Sequence, residues 1–282
     1  MSYQMSTLKE ILVNSRRDEA ETHFGTRARS QYLGDDTLLC RILGEKKFFA
    51  IASDIGLSPH LAFDGYWEFW LTLHFARKIN HGDTVIDIGA NLGYYSVLAA
   101  DLVGTAGKVV AIEPNPTVYS YLKKTIQLNG YGDRVDAKNY AISSQDDDVS
   151  VPFFVPTGEP KNGRFILDDE SSEYLANFGN VFDVTAGSLV ECQFDRIDLI
   201  KIDVEGAELQ VLKRLQPLIQ KFLPQVVCEV NFARGYCYED VQEALGVETE
   251  LLFLDYDGAV KPLSKIMAAG ERCGDDWLIC HG

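Results

Sequence analysis

The stretch VIDIGANLGYYS, Val85 to Ser96, constrains the fold of this chain more than any other segment. An apolar run ending at Asp87-Ile88 meets a turn holding Gly89 and Gly93, and a helix-forming run from Tyr94 to Leu102 follows at once. A strand that feeds a glycine turn and then a helix is the opening unit of a doubly wound α/β sheet. It points backbone N–H groups and a helix N-terminus at the strand's carboxyl end, where such sheets bind their ligands.

The residues downstream repeat the alternation. Lys108 to Ile112 reads as a second strand, and Asn115-Pro116 as an N-cap followed by proline at the first helical position, with Asn129-Gly130 as the stop. Val135 to Ser143, Asp198 to Asp203 and Val226 to Val230 are the next strands, and a helix over Ala207 to Leu215 is expected to stop near Pro217. Leu251 to Leu254, a turn at Tyr256-Asp257-Gly258 and Trp277 to Cys280 read as closing strands. Strand and helix alternating at short spacing predict an α/β fold with a mostly parallel sheet covered on both faces.

Two segments fall outside this rhythm. Residues 1 to about 34 read as a helix and polar turn with Leu8, Ile11 and Leu12 on one face, then a hairpin from Leu38 to Ala52, then a helix from Glu68 to Ile79. Ser144 to Val190 holds a possible short hairpin at Val149 to Val155 and a polar stretch, Gly158 to Gly179, that reads as a long loop and a candidate substrate lid. The expected organisation is an N-terminal helix and hairpin extension, 1–82, packed on a ligand-binding core, 83–282, with an insertion at about 144–190.

Composition narrows the partners. With 46% hydrophobic and 24% charged residues the chain is of ordinary globular type, and its net charge of -16 repels phosphate backbones, so nucleic acid is not expected as a partner. The N-terminus has no apolar leader behind a basic start, and no apolar run nears the ~20 residues of a membrane span, so a cytoplasmic location is expected. The six cysteines form no CxxC pair and read as buried free thiols.

The turn itself specifies a ligand. A dinucleotide fingerprint needs a glycine where this chain has Asn91, so Gly-x-Asn-x-Gly suits a ligand without a pyrophosphate. Glu113 ends the second strand about 20 residues beyond the turn, the place from which a carboxylate takes ribose hydroxyls. Asp87 beside the turn suits an ammonium. A ribose and an amino-acid tail together describe S-adenosylmethionine.

DIGANLGYYS, AIEPNP and IDLIKIDVEGAE together resemble the FkbM family of class I S-adenosylmethionine-dependent methyltransferases, from about Gly65 to Asn231. The resemblance implies a Rossmann-like, seven-stranded and mostly parallel sheet with its last strand antiparallel. It also implies methyl transfer to hydroxyl oxygens of sugars, glycans or polyketide-like natural products. By the same resemblance Asp87, Gly89, Ala90, Asn91 and Gly93 form the methionine-side loop, Glu113 clamps the ribose, and Asn115 flanks the adenosine. Tyr140-Ala141-Ile142 lie near adenine, and Glu68 in Gly-Tyr-Trp-Glu matches an acidic position ahead of the sheet. Where the family commonly has Thr-Leu-Asp before the fourth strand, this chain reads Thr185-Ala186-Gly187-Ser188-Leu189.

Candidate chemistry gathers in Lys201-Ile202-Asp203-Val204-Glu205-Gly206 at the end of the fourth strand. A hydroxyl attacking a sulfonium methyl must lose its proton, so a carboxylate with raised pKa can act as base. Asp203 is the first choice and Glu205 the second, although Lys201 and Asp203 also suit a structural ion pair and Glu205 a helix cap. His60, just ahead of Gly65-Tyr66-Trp67, is a third candidate base. Asp203, Glu229 and Asn231 offer oxygens to Mg²⁺, but Lys201 competes for the same carboxylates, and no metal is expected. The aromatic cluster Tyr66, Trp67, Phe69 and Trp70 reads as acceptor wall or as core. Two other functions fit parts of the pattern: an NAD-dependent oxidoreductase, against which Asn91 counts, and a non-catalytic nucleotide-binding module.

Overall fold

A computed structural model describes residues 6–143, 147–159, 162–166, 170–189, 192–263 and 276–281. The chain begins with helices α1 (Leu8–Asn14) and α2 (Arg17–Arg27), followed by an antiparallel three-stranded sheet of β1 (Arg29–Gly34), β2 (Thr37–Ile42) and β3 (Lys46–Ile51). The hairpin expected between 38 and 52 is present. A second helix and an edge strand occupy what the sequence suggested was a single helix and turn. Thr7 caps α1 through a reciprocal pair with Glu10, which fixes where that helix starts. Helices α3 (Leu57–Phe63) and α4 (Phe69–Lys78) lead into the central sheet. His74 of α4 is buried and bonds the Gln225 side chain at 2.9 Å.

The central sheet takes its order from β4 (Thr84–Ile88), α5 (Tyr94–Val103), β5 (Lys108–Ile112), α6 (Pro116–Leu128) and β6 (Val135–Lys138). Next come β7 (Ala141–Ile142), β8 (Ser150–Pro156), β9 (Arg164–Phe165), α7 (Ser172–Leu175) and β10 (Gly179–Gly187). The chain continues through β11 (Leu199–Ile202), α8 (Glu208–Phe222), β12 (Gln225–Val230), α9 (Tyr238–Leu245), β13 (Leu251–Leu254), β14 (Val260–Pro262) and β15 (Asp276–His281). The order across the sheet is β14-β13-β15-β12-β11-β4-β5-β6. The strands from β12 to β6 run parallel, and β15 is inserted antiparallel between β12 and β13. The seven-stranded, Rossmann-like class I arrangement with an antiparallel last strand is therefore present, and β14 adds a short eighth strand at one edge.

Alternation along the strands divides the interior into two layers. Val85, Val109, Ala111, Leu199, Val227 and Ile279 face one side, where they join α4, α5, α6 and the N-terminal helices in one apolar cluster. Ile86, Ile88, Ile112, Ile200, Ile202 and Cys228 face the other and meet α8 and α9. Leu12 and Phe24 bring the N-terminal helices into the first cluster at 1% and 0% exposure, each contributing roughly 1.5–3 kcal/mol of burial.

Three expectations change. Helix α8 runs through Pro217 to Phe222, because the proline sits on the solvent face while Leu215, Leu218 and Ile219 on the other face remain buried in the second cluster. The expected third strand divides, β6 staying in the central sheet and β7 leaving it. The insertion, expected to be a polar loop, builds a second sheet of order β7-β10-β8-β9 with its own small core of Ala141, Val151, Phe153, Val155 and Val184. Val149 to Val155 is not a hairpin in itself: β8 pairs antiparallel with β10 more than twenty residues on, and β10 joins the protein by pairing parallel with β7.

Cys40, Cys228 and Cys280 are buried free thiols as expected, but Cys192 and Cys237 are exposed. Cys273 lies outside the described residues. No described helix is long and apolar enough to cross a membrane.

Candidate functional site

The carboxyl ends of β4, β5, β11 and β12 open into one cavity, the place where open α/β sheets bind their ligands. The accessory sheet closes its far side with Phe153, Phe165 and the Asn162-Gly163 pair.

The glycine turn is shaped by its own contacts. Gly89 has φ 74°, and a Cβ there would lie 1.7 Å from the Asp203 carbonyl oxygen, so only glycine lets β4 and β11 end side by side. The amides of the turn are directed into the protein. Gly89 and Ala90 N–H donate to the Ile112 carbonyl at 3.0 and 2.9 Å, Asn91 N–H to Glu113 Oε2 at 2.9 Å, and Gly93 N–H to the Ala90 carbonyl at 2.9 Å. The Asn91 side-chain oxygen accepts from Leu92 N–H at 2.7 Å. The turn was expected to offer these donors to a ligand; instead each is already used. Of the five loop residues proposed from sequence, Gly89 and Asn91 line the cavity, while Ala90 and Gly93 do not.

Asp87 is also withdrawn. It is fully buried, with Oδ1 3.1 Å from the Lys201 ammonium and Oδ2 accepting from Ser96 Oγ at 2.7 Å. Its partner is Lys201, the residue opposite it on the neighbouring strand β11. Lys201 in turn reaches Asp203 at 3.4 Å and the Gly89 carbonyl at 3.2 Å, and lies 5.3 Å from the centre of the Tyr95 ring. Burial by itself would lower the Lys201 pKa, but Asp87 and Asp203 outweigh it and hold the ammonium above its ordinary value.

Glu68 lines the cavity, which Asp87 does not. It precedes α4 in the left-handed region, φ 36°, an uncommon conformation for a residue with a side chain, and its carboxylate lines the cavity. Tyr95 Oη donates to Oε2 at 2.6 Å and Trp277 Nε1 to Oε1 at 3.1 Å. Burial pushes its pKa up, the Tyr95 bond opposes this, and the negative charge of Asp203 adds to the rise.

Glu113 lies at the end of β5 as the spacing predicted and lines the cavity. Its two oxygens accept from Asn91 N–H at 2.9 Å and Asn115 N–H at 2.8 Å, leaving further lone pairs towards the cavity. Burial, opposed by those two bonds, pushes its pKa up to about 7. Asn115 caps α6, accepting from Thr117 and Val118 N–H at 3.0 and 3.4 Å, and does not line the cavity. Tyr140, Ala141 and Ile142 do line it, opposite Ile112 and Val118, and form an apolar slot beside Glu113.

The turn after β11 presents Asp203 and Glu205 to the same cavity, joined by Glu229 from β12. One oxygen of each lies within 4.8 Å of the others, an arrangement that a divalent cation could accept with Glu205 in place of the expected Asn231. Two cations already balance it: Lys201 at Asp203, and Arg234 at 3.0 Å from Glu205. Among the described residues no side chain caps α8; Glu208, its first residue, accepts from Gly206 N–H at 2.7 Å. His60 is exposed, pairs with Asp64 at 2.9 Å and rests against Trp67; the indole reaches the cavity and the imidazole does not. Of the aromatic cluster only Trp67 lines the cavity.

Sequence reasoning missed Leu57, Phe153, Asn162 and Phe165. The alternation of Val151, Phe153 and Val155 was a usable signal for a half-buried strand, but its partner strand is remote in sequence.

The profile of the Methyltransferase FkbM domain matches residues 87–256. Methyltransferase sdnD of Sordaria araneosa is 28% identical over 171 residues, 51% of this chain and 65% of the relative. Hexuronic acid methyltransferase AglP of Haloferax volcanii is 28% identical over 185 residues, 64% of this chain and 70% of the relative. The 31-O-demethyl-FK506 methyltransferase FkbM of Streptomyces tacrolimicus is 27% identical over 204 residues, 64% of this chain and 74% of the relative.

Proposed function

The chain belongs to the FkbM methyltransferase family, and on that premise we propose that it transfers the methyl group of S-adenosylmethionine to a hydroxyl of a sugar or natural-product acceptor. The observation that carries this reading is the state of the glycine turn: its amides are used internally, and among the described residues lining the cavity none is a lysine, arginine or histidine. A nucleoside ligand is then one without phosphates, which favours S-adenosylmethionine over NAD. The residues fit such a ligand. Glu113 can accept two ribose hydroxyls, the slot between Ile112, Val118, Tyr140 and Ile142 suits a flat base, and Glu68 and the Gly89 backbone border the end left for the amino acid.

S-adenosylmethionine supplies a methyl group on a positively charged sulfur: a C–O bond forms as the C–S bond breaks, the electron pair passes to sulfur, and the acceptor hydroxyl's proton must leave. Asp203 is the residue assigned to that proton. It lies at the carboxyl end of β11 between the two halves of the cavity, and Lys201 beneath holds it in place. Glu205 and Glu229 flank the acceptor. Most of the acceleration comes from holding oxygen and methyl in line, with proton transfer adding roughly 10²–10⁴-fold. Two relatives, one named a hexuronic acid methyltransferase and one a 31-O-demethyl-FK506 methyltransferase, support the choice of sugar and natural-product acceptors.

The test is calorimetric titration with S-adenosylmethionine, S-adenosylhomocysteine and NAD, followed by product formation across a panel of sugars and hydroxylated natural products. Micromolar binding of the first two and none of NAD supports the reading. Asp203→Asn is expected to keep that binding and lose about 10²–10⁴ in turnover. A preference for NAD refutes the proposal, and binding without turnover of any acceptor leaves a nucleotide-binding module.

A further inference from the structure

In the methyltransferase reading Glu68 borders the amino-acid end of the cavity, and it does so from a backbone conformation, φ 36°, that side-chain-bearing residues rarely adopt. Two adjacent tyrosines of α5 brace this turn. Thr72 N–H donates to the Glu68 carbonyl at 2.9 Å and Thr72 Oγ1 to the Trp67 carbonyl at 2.7 Å, and Tyr94 Oη lies 3.0 Å from the same Thr72 oxygen. Tyr95 reaches the side chain instead, donating from Oη to Glu68 Oε2 at 2.6 Å. Trp277 Nε1, on β15, donates to Oε1 at 3.1 Å.

Tyr95 is itself fixed. It is buried, its ring meets Tyr94 edge-on with centroids 5.2 Å apart and lies 5.1 Å from the Phe75 ring, and the Lys201 ammonium sits 5.3 Å from its centre. A phenol locked by packing aims the carboxylate it holds rather than following it. The bond is charge-assisted, so it also favours the ionised form that burial disfavours. A carboxylate has about four lone-pair positions, and two donors leave room for the N–H groups of a ligand. Resting on the methyltransferase reading, we propose that Tyr95 and Trp277 are positioning residues for S-adenosylmethionine: neither lines the cavity, and together they aim Glu68 at the ammonium of the ligand's amino-acid tail.

The experiment is calorimetric titration of the full chain with two nucleosides that share adenosine and a neutral sulfur. S-adenosylhomocysteine carries the amino acid, and 5′-methylthioadenosine carries a methyl group in its place. The native protein is expected to bind the first more tightly by about tenfold or more. Tyr95→Phe keeps the ring against Lys201 and removes the hydroxyl. It is expected to weaken S-adenosylhomocysteine by about tenfold and to change methylthioadenosine by about twofold or less. Because the effect runs through Glu68, adding Tyr95→Phe to Glu68→Gln is expected to weaken S-adenosylhomocysteine by no more than about twofold further. Trp277→Phe removes the donor to the other oxygen and is expected to show the same selective loss, which keeps the test open if Tyr95→Phe does not fold. Equal losses for the two ligands, or no loss for either, overturn the proposal. So does a native protein that binds the two ligands equally, or a full Tyr95→Phe effect that persists in Glu68→Gln. Binding of neither nucleoside by the native protein refutes the methyltransferase reading instead.

Discussion

In the proposed reading Glu113 couples nucleoside binding to pH. Its carboxyl is pushed up to about 7 by burial, so it titrates within the working range. Ribose hydroxyls donate hydrogen bonds, and only the ionised carboxylate can accept them at both oxygens while still accepting from Asn91 and Asn115 N–H. Near pH 8 about nine-tenths of the molecules have Glu113 ionised, and near pH 6 about one-tenth do. The dissociation constant of S-adenosylhomocysteine should therefore rise about tenfold between those values, or about 1.4 kcal/mol. Binding near neutrality should release protons, seen by calorimetry as an apparent enthalpy that depends on the buffer's ionisation heat. Stability without ligand should move the other way. The folded pKa lies above the unfolded one, so the neutral form favours the fold, and stability falls as pH rises from about 4.5 through 7. Glu113→Gln removes the titration and the charge-assisted bonds. Its affinity should be weaker by about 1.5–3 kcal/mol near pH 8 and nearly flat with pH. Glu68, whose pKa is also raised by burial, is the control: the slope should survive in Glu68→Gln. An affinity that does not change with pH in the native protein, or a slope that persists in Glu113→Gln, would refute this reasoning.

Gly89→Ala drives a methyl group to 1.7 Å from the Asp203 carbonyl at a position with φ 74°, so β4 and β11 must separate; a loss of about 3 kcal/mol or more is expected in chemical denaturation, with ligand binding abolished. Lys201→Met leaves Asp87 buried without its counter-charge and should cost about 3–5 kcal/mol, while the double variant Lys201→Met/Asp87→Leu should recover much of that in thermal melts. Phe24→Ala empties a fully buried site that packs α2 into the first apolar cluster and should cost about 3–5 kcal/mol without changing the slope of S-adenosylhomocysteine affinity with pH.

The parts of this site visible in the sequence are those written within one strand–turn–helix unit. Gly89, Glu113 and the Asn115 cap each follow from local rules about turns, strand ends and helix starts, and each occupies the element expected of it. The parts that were not visible depend on partners far along the chain. The ion-pair partner of Asp87, Lys201, lies 114 residues later and leaves no mark near Asp87. The sheet in the insertion is not legible because β8 pairs with β10, more than twenty residues on, and that pairing leaves no local mark. Helix α8 passes Pro217 because the buried face opposite outweighs a lost hydrogen bond at the surface, a balance that propensity alone does not show.

The clamp on Glu68 also has a consequence in time. Its two donors lie 27 and 209 residues away in sequence, the second on a strand threaded between two already distant neighbours. Contacts of such separation are slow to form, since the loop entropy is lost before the contact returns anything. The parallel strands and glycine turn can assemble while this carboxylate still swings in solvent, and the amino-acid end of the pocket is complete only after β15 slots home. Nucleoside affinity should therefore appear late in refolding, after far-ultraviolet signal has recovered, making ligand capture a reporter of the last topological step.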